Sequence, residues 1–153
     1  MNVENIRKMI DVIRDHQNQF SMRQFVRCEN VEQFIAPPDE EPAYSDELDM
    51  SSSPLHNCGT ACCLAGWANA LDAANHPKDF INYGDTYNAC EYMGISQQNG
   101  YPLFYPGTSS AIWNQAKSLG LIAPGNAYGA TADEAIAVLE AIIDGRIELL
   151  TDL

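Results

Sequence analysis

Cations are scarce in this 153-residue chain, and long apolar runs are missing. Lys and Arg number 8 against 21 Asp and Glu, giving a net charge of −13 at neutral pH. A field of that sign repels phosphate backbones and anionic lipid, so direct nucleic-acid binding and a membrane partner are not expected. It attracts basic protein surfaces. No stretch approaches the roughly 18 consecutive apolar residues of a spanning helix. Met1 to Ile13 interleave charged and apolar residues, unlike the apolar core of a signal peptide, which points to the cytoplasm. The chain also lacks a GxGxxG motif, a phosphate loop with Lys, an HExxH pair and an EF-hand loop, and no cofactor is expected.

Cysteine usage excludes a disulfide framework of the usual secreted kind. Five cysteines is an odd number, and Cys58, Cys62 and Cys63 crowd together instead of spreading over the loops. Reduced thiols follow. Apolar residues at 46% are enough for a core, and the length suits one domain over residues 1–153.

What the sequence does contain is helical periodicity. Val3, Ile6, Met9, Ile10 and Ile13 recur at spacings of three and four, predicting a helix over 2–17. Ser21 and Gln24 have capping-box spacing, which predicts a short helix from Met22 to Arg27. Thr60 to Ala74 reads as a buried central helix, with Ala61, Leu64, Ala65, Ala68 and Leu71 on one face and Gly66 allowing a close crossing. Thr60 is its expected cap. A helix from Asp85 or Thr86 stops at Gly94, and another runs from about Ser110 to Ser118 behind Thr108 or Ser109. The stretch from Gly100 to Gly107 reads as a turn-rich aromatic lid. Thr131 and Glu134 form a capping box for a last helix ending at Gly145. The expected fold is mainly α: five or six helices in one compact domain around a buried central helix.

Residues 29–54 interrupt this pattern. Glu29, Glu32, Asp39, Glu40, Glu41, Asp46, Glu47 and Asp49 occur there with no Lys or Arg, among prolines and a serine run. A long acidic surface loop is expected, and loops of that length are often functional.

Three chemistries compete at Cys58-Gly59-Thr60-Ala61-Cys62. The first is structural: small thiols pack where a helix is crowded. The second is nucleophilic, because a helix N-terminus lowers a thiol's pKa and its amides suit an oxyanion. Cys58 or Cys62 would attack, with His56 or His76 as base. A papain-like register fails, since Gly66 and not cysteine precedes Trp67. The third is a metal held by His56, Cys58 and Cys62, but Cys58-x-x-x-Cys62 is one residue longer than the usual zinc spacing. Packing is the favoured account, leaving no assigned catalytic or metal residue.

Cys58-Gly59-Thr60 with Cys63, Gly66 and Ala68 resembles a Cys-Gly-Thr-x-x-Cys-x-x-Gly-x-Ala pattern of small bacterial and phage proteins. Met93-Gly94, Leu103-Phe104 and the helix from Thr131 to Gly145 are similar to further features of that group. Met93 replaces a usual Leu, and the acidic stretch at 29–54 is an insertion. The resemblance implies a fold group with phage association and carries no catalytic residue to this chain. The expected function is a non-enzymatic interaction module, a phage-type acidic modulator of a basic or nucleic-acid-binding host protein. Asp39, Glu40, Glu41, Asp46, Glu47 and Asp49 would steer the encounter, with Phe34 and Tyr44 as anchors. The alternative is a thiol-dependent hydrolase or transferase using Cys58 or Cys62.

Overall fold

Asn2 and an apolar stripe together define the first helix. The computed structural model describes residues 1–17, 20–22, 27–28, 47–49, 60–61, 63–72, 80–82, 86–107, 110–125 and 127–151. In α1 (Val3–Asp15) the Asn2 Oδ1 accepts the Asn5 N–H at 3.1 Å, satisfying one orphan donor of the first turn. Glu4 and Arg14 lie at the ends where the helix dipole favours their signs. Ile6, Met9, Ile10 and Ile13 are buried on one face.

Four short strands follow the backbone pairing: β1 (Arg27–Cys28), β2 (Glu47–Asp49), β3 (Thr60–Ala61) and β4 (Phe80–Asn82). β1 pairs antiparallel with β3, Arg27 opposite Ala61, and β2 with β4, Leu48 opposite Ile81. These pairings correct three expectations. Arg27 is in a strand and does not end a helix from Met22, whose remaining residues 23–26 lie outside the described set. Glu47–Asp49 is a strand within the expected loop, and its charged–apolar–charged alternation has the strand period. The rest of 29–54 lies outside the described residues. Thr60 belongs to β3, where its backbone groups serve a neighbouring strand, and it is not a helix cap.

The helix expected over Thr60 to Ala74 is correspondingly shorter. α2 runs Leu64–Leu71, preceded by an extended Cys63 that makes no side-chain cap bond. Residues 63–69 are buried, Leu64, Ala65 and Ala68 completely. α2 packs on α1 and on the next two helices, α3 (Thr86–Met93) and α4 (Gln97–Phe104).

α3 stops where expected. Gly94 has φ +63°, the left-handed conformation that ends helices. An added Cβ there would also meet the Asn2 backbone N at 2.6 Å. That closeness is used: Asn2 N–H donates to Met93 O at 2.8 Å, and Asn5 Nδ2 to Tyr92 O at 2.7 Å. The start of α1 is thereby fastened to the end of α3.

α4 replaces the expected aromatic lid. Gly100 and Pro102 are poor helix formers and hide it from a propensity reading. Gly100 is required by packing, since a Cβ there would overlap Cys90 Sγ on α3. The carbonyls left open at the end of α4 are met by the following element: Ser110 Oγ donates to Pro102 O at 2.8 Å and Trp113 Nε1 to Leu103 O at 3.0 Å. Leu103 and Phe104 lie in the core.

α5 (Ala111–Ser118) is capped by Ser110, one residue beyond the expected Thr108 or Ser109, and buries Ile112, Trp113 and Ala116 as its spacing predicts. α6 (Ala132–Ile143) has the full Thr131/Glu134 capping box and packs on α1. Gly145, at φ +72°, turns the chain out of α6. Ile147 then returns to the core, and residues 148–151 run across α4 and α5. The fold is mainly helical, with six α-helices among the described residues. Among those residues no helix is long and apolar enough to cross a membrane.

Candidate functional site

Polar side chains are rare inside this core, so each needs a partner. Asn69 is completely buried on α2. Asn88 of α3 uses its Nδ2 to donate both to Asn69 Oδ1 at 2.9 Å and to Asp72 Oδ2 at 3.0 Å. An unpaired amide in this position would cost about 1–3 kcal/mol. Tyr92 lies near the same cluster. Burial raises its phenol pKa, and the Asp72 and Glu4 carboxylates raise it further. Asn69, Asn88 and Asp72 form a hydrogen-bonded seam between α2 and α3. Asp72 is thus bound to Asn88.

Next to the seam, Trp67 is 1% exposed and its Nε1 has no hydrogen-bond partner among the described residues. The His16 ring lies 6.1 Å away at 43°. His16 Nδ1 is 2.9 Å from Val12 O, and because a carbonyl only accepts, this contact assigns the proton to Nδ1.

A second feature is a groove of about 360 Å³ between α1 and α6, lined by Arg7, Ile10, Asp11, Arg14, Glu140, Ile143 and Asp144. Arg14 bridges its walls, at 3.3 Å from Asp11 and 3.2 Å from Glu140. All three side chains are about half exposed or more, so these bridges contribute little to stability. The groove is a mixed-charge surface.

A third lies on α4 and α5. The Asn99 carboxamide makes two bonds to the backbone of Leu150, and the Gln115 carboxamide two to that of Glu148. These amides were not singled out in the sequence. Asn69 left a signal there, as the one polar residue within Leu64–Ala70, whereas Asn99 and Gln115 look like ordinary surface amides.

Most of the site residues expected from sequence lie outside the described residues: Phe34, Asp39, Glu40, Glu41, Tyr44 and Asp46 of the acidic stretch, and His56, Cys58, Cys62 and His76. Glu47 and Asp49 are placed by backbone at the two ends of β2. Cys63 and Cys90 are buried thiols. The aromatic side chains are divided between core and surface. Phe104 and Trp113 are core, Tyr92 is half-buried, and Tyr87 and Tyr101 are exposed, with Tyr101 stacked at 4.5 Å on Tyr105. Among the described residues no group of three or more His, Cys, Asp or Glu is placed to hold a metal ion.

Comparison with known proteins finds no matching family model, no matching curated protein and no matching solved structure.

Proposed function

We propose that this chain is a non-enzymatic, acidic protein-interaction module of phage or mobile-element type, acting in the cytoplasm on a basic, nucleic-acid-binding host protein. The observation that carries this reading is the charge distribution: net −13, with eight carboxylates and no cation in residues 29–54. The described surface adds to it. Between α3 and residue 151 the chain carries the carboxylates Glu91, Asp133, Glu134, Glu140, Asp144 and Glu148 against two cations of its own, Lys117 and Arg146, with Arg14 of α1 reaching Glu140. A basic partner gains long-range attraction to such a field, and Phe34 and Tyr44 supply apolar anchors beside the charges.

Affinity capture from the native host with mass spectrometry tests the reading. A basic protein is retained at about 50 mM salt and released by about 500 mM, because screening shortens the reach of the field. Neutralising Asp39, Glu40, Glu41, Asp46, Glu47 and Asp49 to Asn or Gln removes the capture. Undiminished capture by that variant eliminates the steering role of these carboxylates. Substrate turnover that disappears on Cys58→Ala or Cys62→Ala would replace the interaction reading with thiol catalysis.

A further inference from the structure

Asn99 is followed by Gly100, and no other Asn-Gly pair occurs in the sequence. The pair has a reactivity of its own. The backbone nitrogen after an asparagine, once deprotonated, attacks the side-chain Cγ, and glycine offers the least obstructed nitrogen and the freest backbone for that approach. The bond from Gly100 N to Asn99 Cγ forms, the Cγ–Nδ2 bond breaks, and ammonia leaves. Water then opens the succinimide ring and leaves aspartate or isoaspartate at position 99. Water and a base are the only co-reactants.

The fold opposes each of these steps. The nucleophile is engaged, since Gly100 N–H donates to Ser96 O at 2.8 Å in the first turn of α4. The leaving group is engaged as well. Asn99 Nδ2 donates to Leu150 O at 2.9 Å and to Ser96 Oγ at 2.9 Å, which uses both of its hydrogens. Asn99 Oδ1 accepts the Leu150 N–H at 2.7 Å. At 5% exposure, Asn99 is also shielded from the water and base that the reaction needs. Ring closure would take Asn99 out of helical geometry, and Gly100 has no room to follow because it lies against Cys90 Sγ.

The product does not suit this position. A carboxylate accepts hydrogen bonds and donates none. At 99 it would face Leu150 O, a second acceptor, in a buried place where an uncompensated charge is costly. Isoaspartate would also lengthen the main chain of α4 where that helix packs on α3.

We propose that Asn99-Gly100 is a deamidation site silenced by the fold. It is protected in the closed native chain and reacts from opened or unfolded molecules, and its conversion loosens residues 148–151 from α4. Because ammonia is lost, the change persists after refolding and marks a molecule that has been open. The site is separate from the acidic stretch and does not depend on that stretch's proposed role.

The test incubates the full chain in mildly alkaline buffer with and without urea. Peptide mass spectrometry follows conversion at 99 through the mass gained when NH2 becomes OH. The native chain is expected to convert at least about tenfold more slowly than the chain in urea, because reaction follows the open population. Ser96→Ala frees one hydrogen of Nδ2, and Ser96 Oγ makes no helix-cap bond that would be lost with it. Leu150→Pro, at an exposed position, removes the N–H that Asn99 accepts. Both variants are expected to convert severalfold faster than the parent in native buffer and at the parent's rate in urea, with circular dichroism confirming that they fold. If Leu150→Pro does not fold, Ser96→Ala decides alone. Asn99→Asp, which installs the product directly, is expected to lower the urea midpoint and to speed hydrogen exchange across residues 146–151. Equal conversion with and without urea overturns the proposal, as does absence of conversion in urea. Folded variants that convert no faster than the parent remove the guarding role of these bonds, and an Asn99→Asp chain indistinguishable from the parent removes the loosening.

Discussion

α2 and α6 are both buried helices of this core, yet they are specified in opposite ways. α6 carries its own instructions: a reciprocal Thr131/Glu134 cap, Asp133 and Glu134 in the first turn, and a left-handed Gly145 after its end. α2 has no side-chain bond at its N-cap, no acidic residue in its first turn and no basic residue in its last, and its sequence of small and apolar residues would not hold a helix in water. Its helix is imposed by the neighbours that bury residues 63–69. The difference separates helices legible locally from those that exist only in context.

If that contrast is right, truncating the core of α2 has the largest effect. Trp67→Ala is expected to cost about 3–5 kcal/mol, read from the urea unfolding midpoint. A loss below about 1 kcal/mol would show that packing does not hold α2. The α3–α4 crossing comes next. Gly100→Ala should cost about 1–3 kcal/mol by overpacking against Cys90, and Cys90→Ala should recover part of it.

The two indoles sharpen the contrast further. Trp113 Nε1 is bonded to Leu103 O, whereas Trp67 Nε1 has no partner among the described residues, so Trp113→Phe should cost about 1 kcal/mol more than Trp67→Phe. In α6, Thr131→Ala should cost about 1 kcal/mol without shifting the other helices, measurable by circular dichroism and urea titration.

The smallest effect is that of Glu134→Gln, a few tenths of a kcal/mol at neutral pH. Burial pushes this carboxyl's pKa up, but the Ala123 and Thr131 amides and the Thr131 hydroxyl outweigh it and hold it below the ordinary value. A carboxyl that titrates lower folded than unfolded contributes fully above its unfolded pKa, and the contribution fades as acid protonates the folded form. The gap between parent and Glu134→Gln should therefore close as the pH falls through and below the ordinary carboxylate range. A gap unchanged in acid would remove the charge from the cap's role.

The same division explains what the sequence disclosed. α1 and α5 announced themselves through spacing, α6 through spacing and its cap, and Gly94 marked the end of α3. α4 was missed because Gly100 and Pro102 argue against a helix locally, while the crossing of Cys90 and the bonds from Ser110 and Trp113 outweigh them. α2 was drawn too long because a run of apolar and small residues has no stop or start of its own. Of the site, Asn69 could have been found as an isolated amide in an apolar helix. The pairing of Asn99 with Leu150 and of Gln115 with Glu148 could not, because it joins residues 51 and 33 positions apart whose types carry no mark of the contact.

The fastening of α1 to distant parts of the chain has a kinetic meaning. Its first turn bonds to Tyr92, 87 residues on, and its last turn reaches Glu140, 126 residues on. Helices α2 to α5 meet near neighbours in sequence, so their contacts close short loops and form early, whereas α6 packs chiefly on α1. α1 can be formed at once but has little to dock against until α2 and α3 are in place, and α6 has little until α1 is. Folding of this chain is thus expected to end with the joining of its first and last helices.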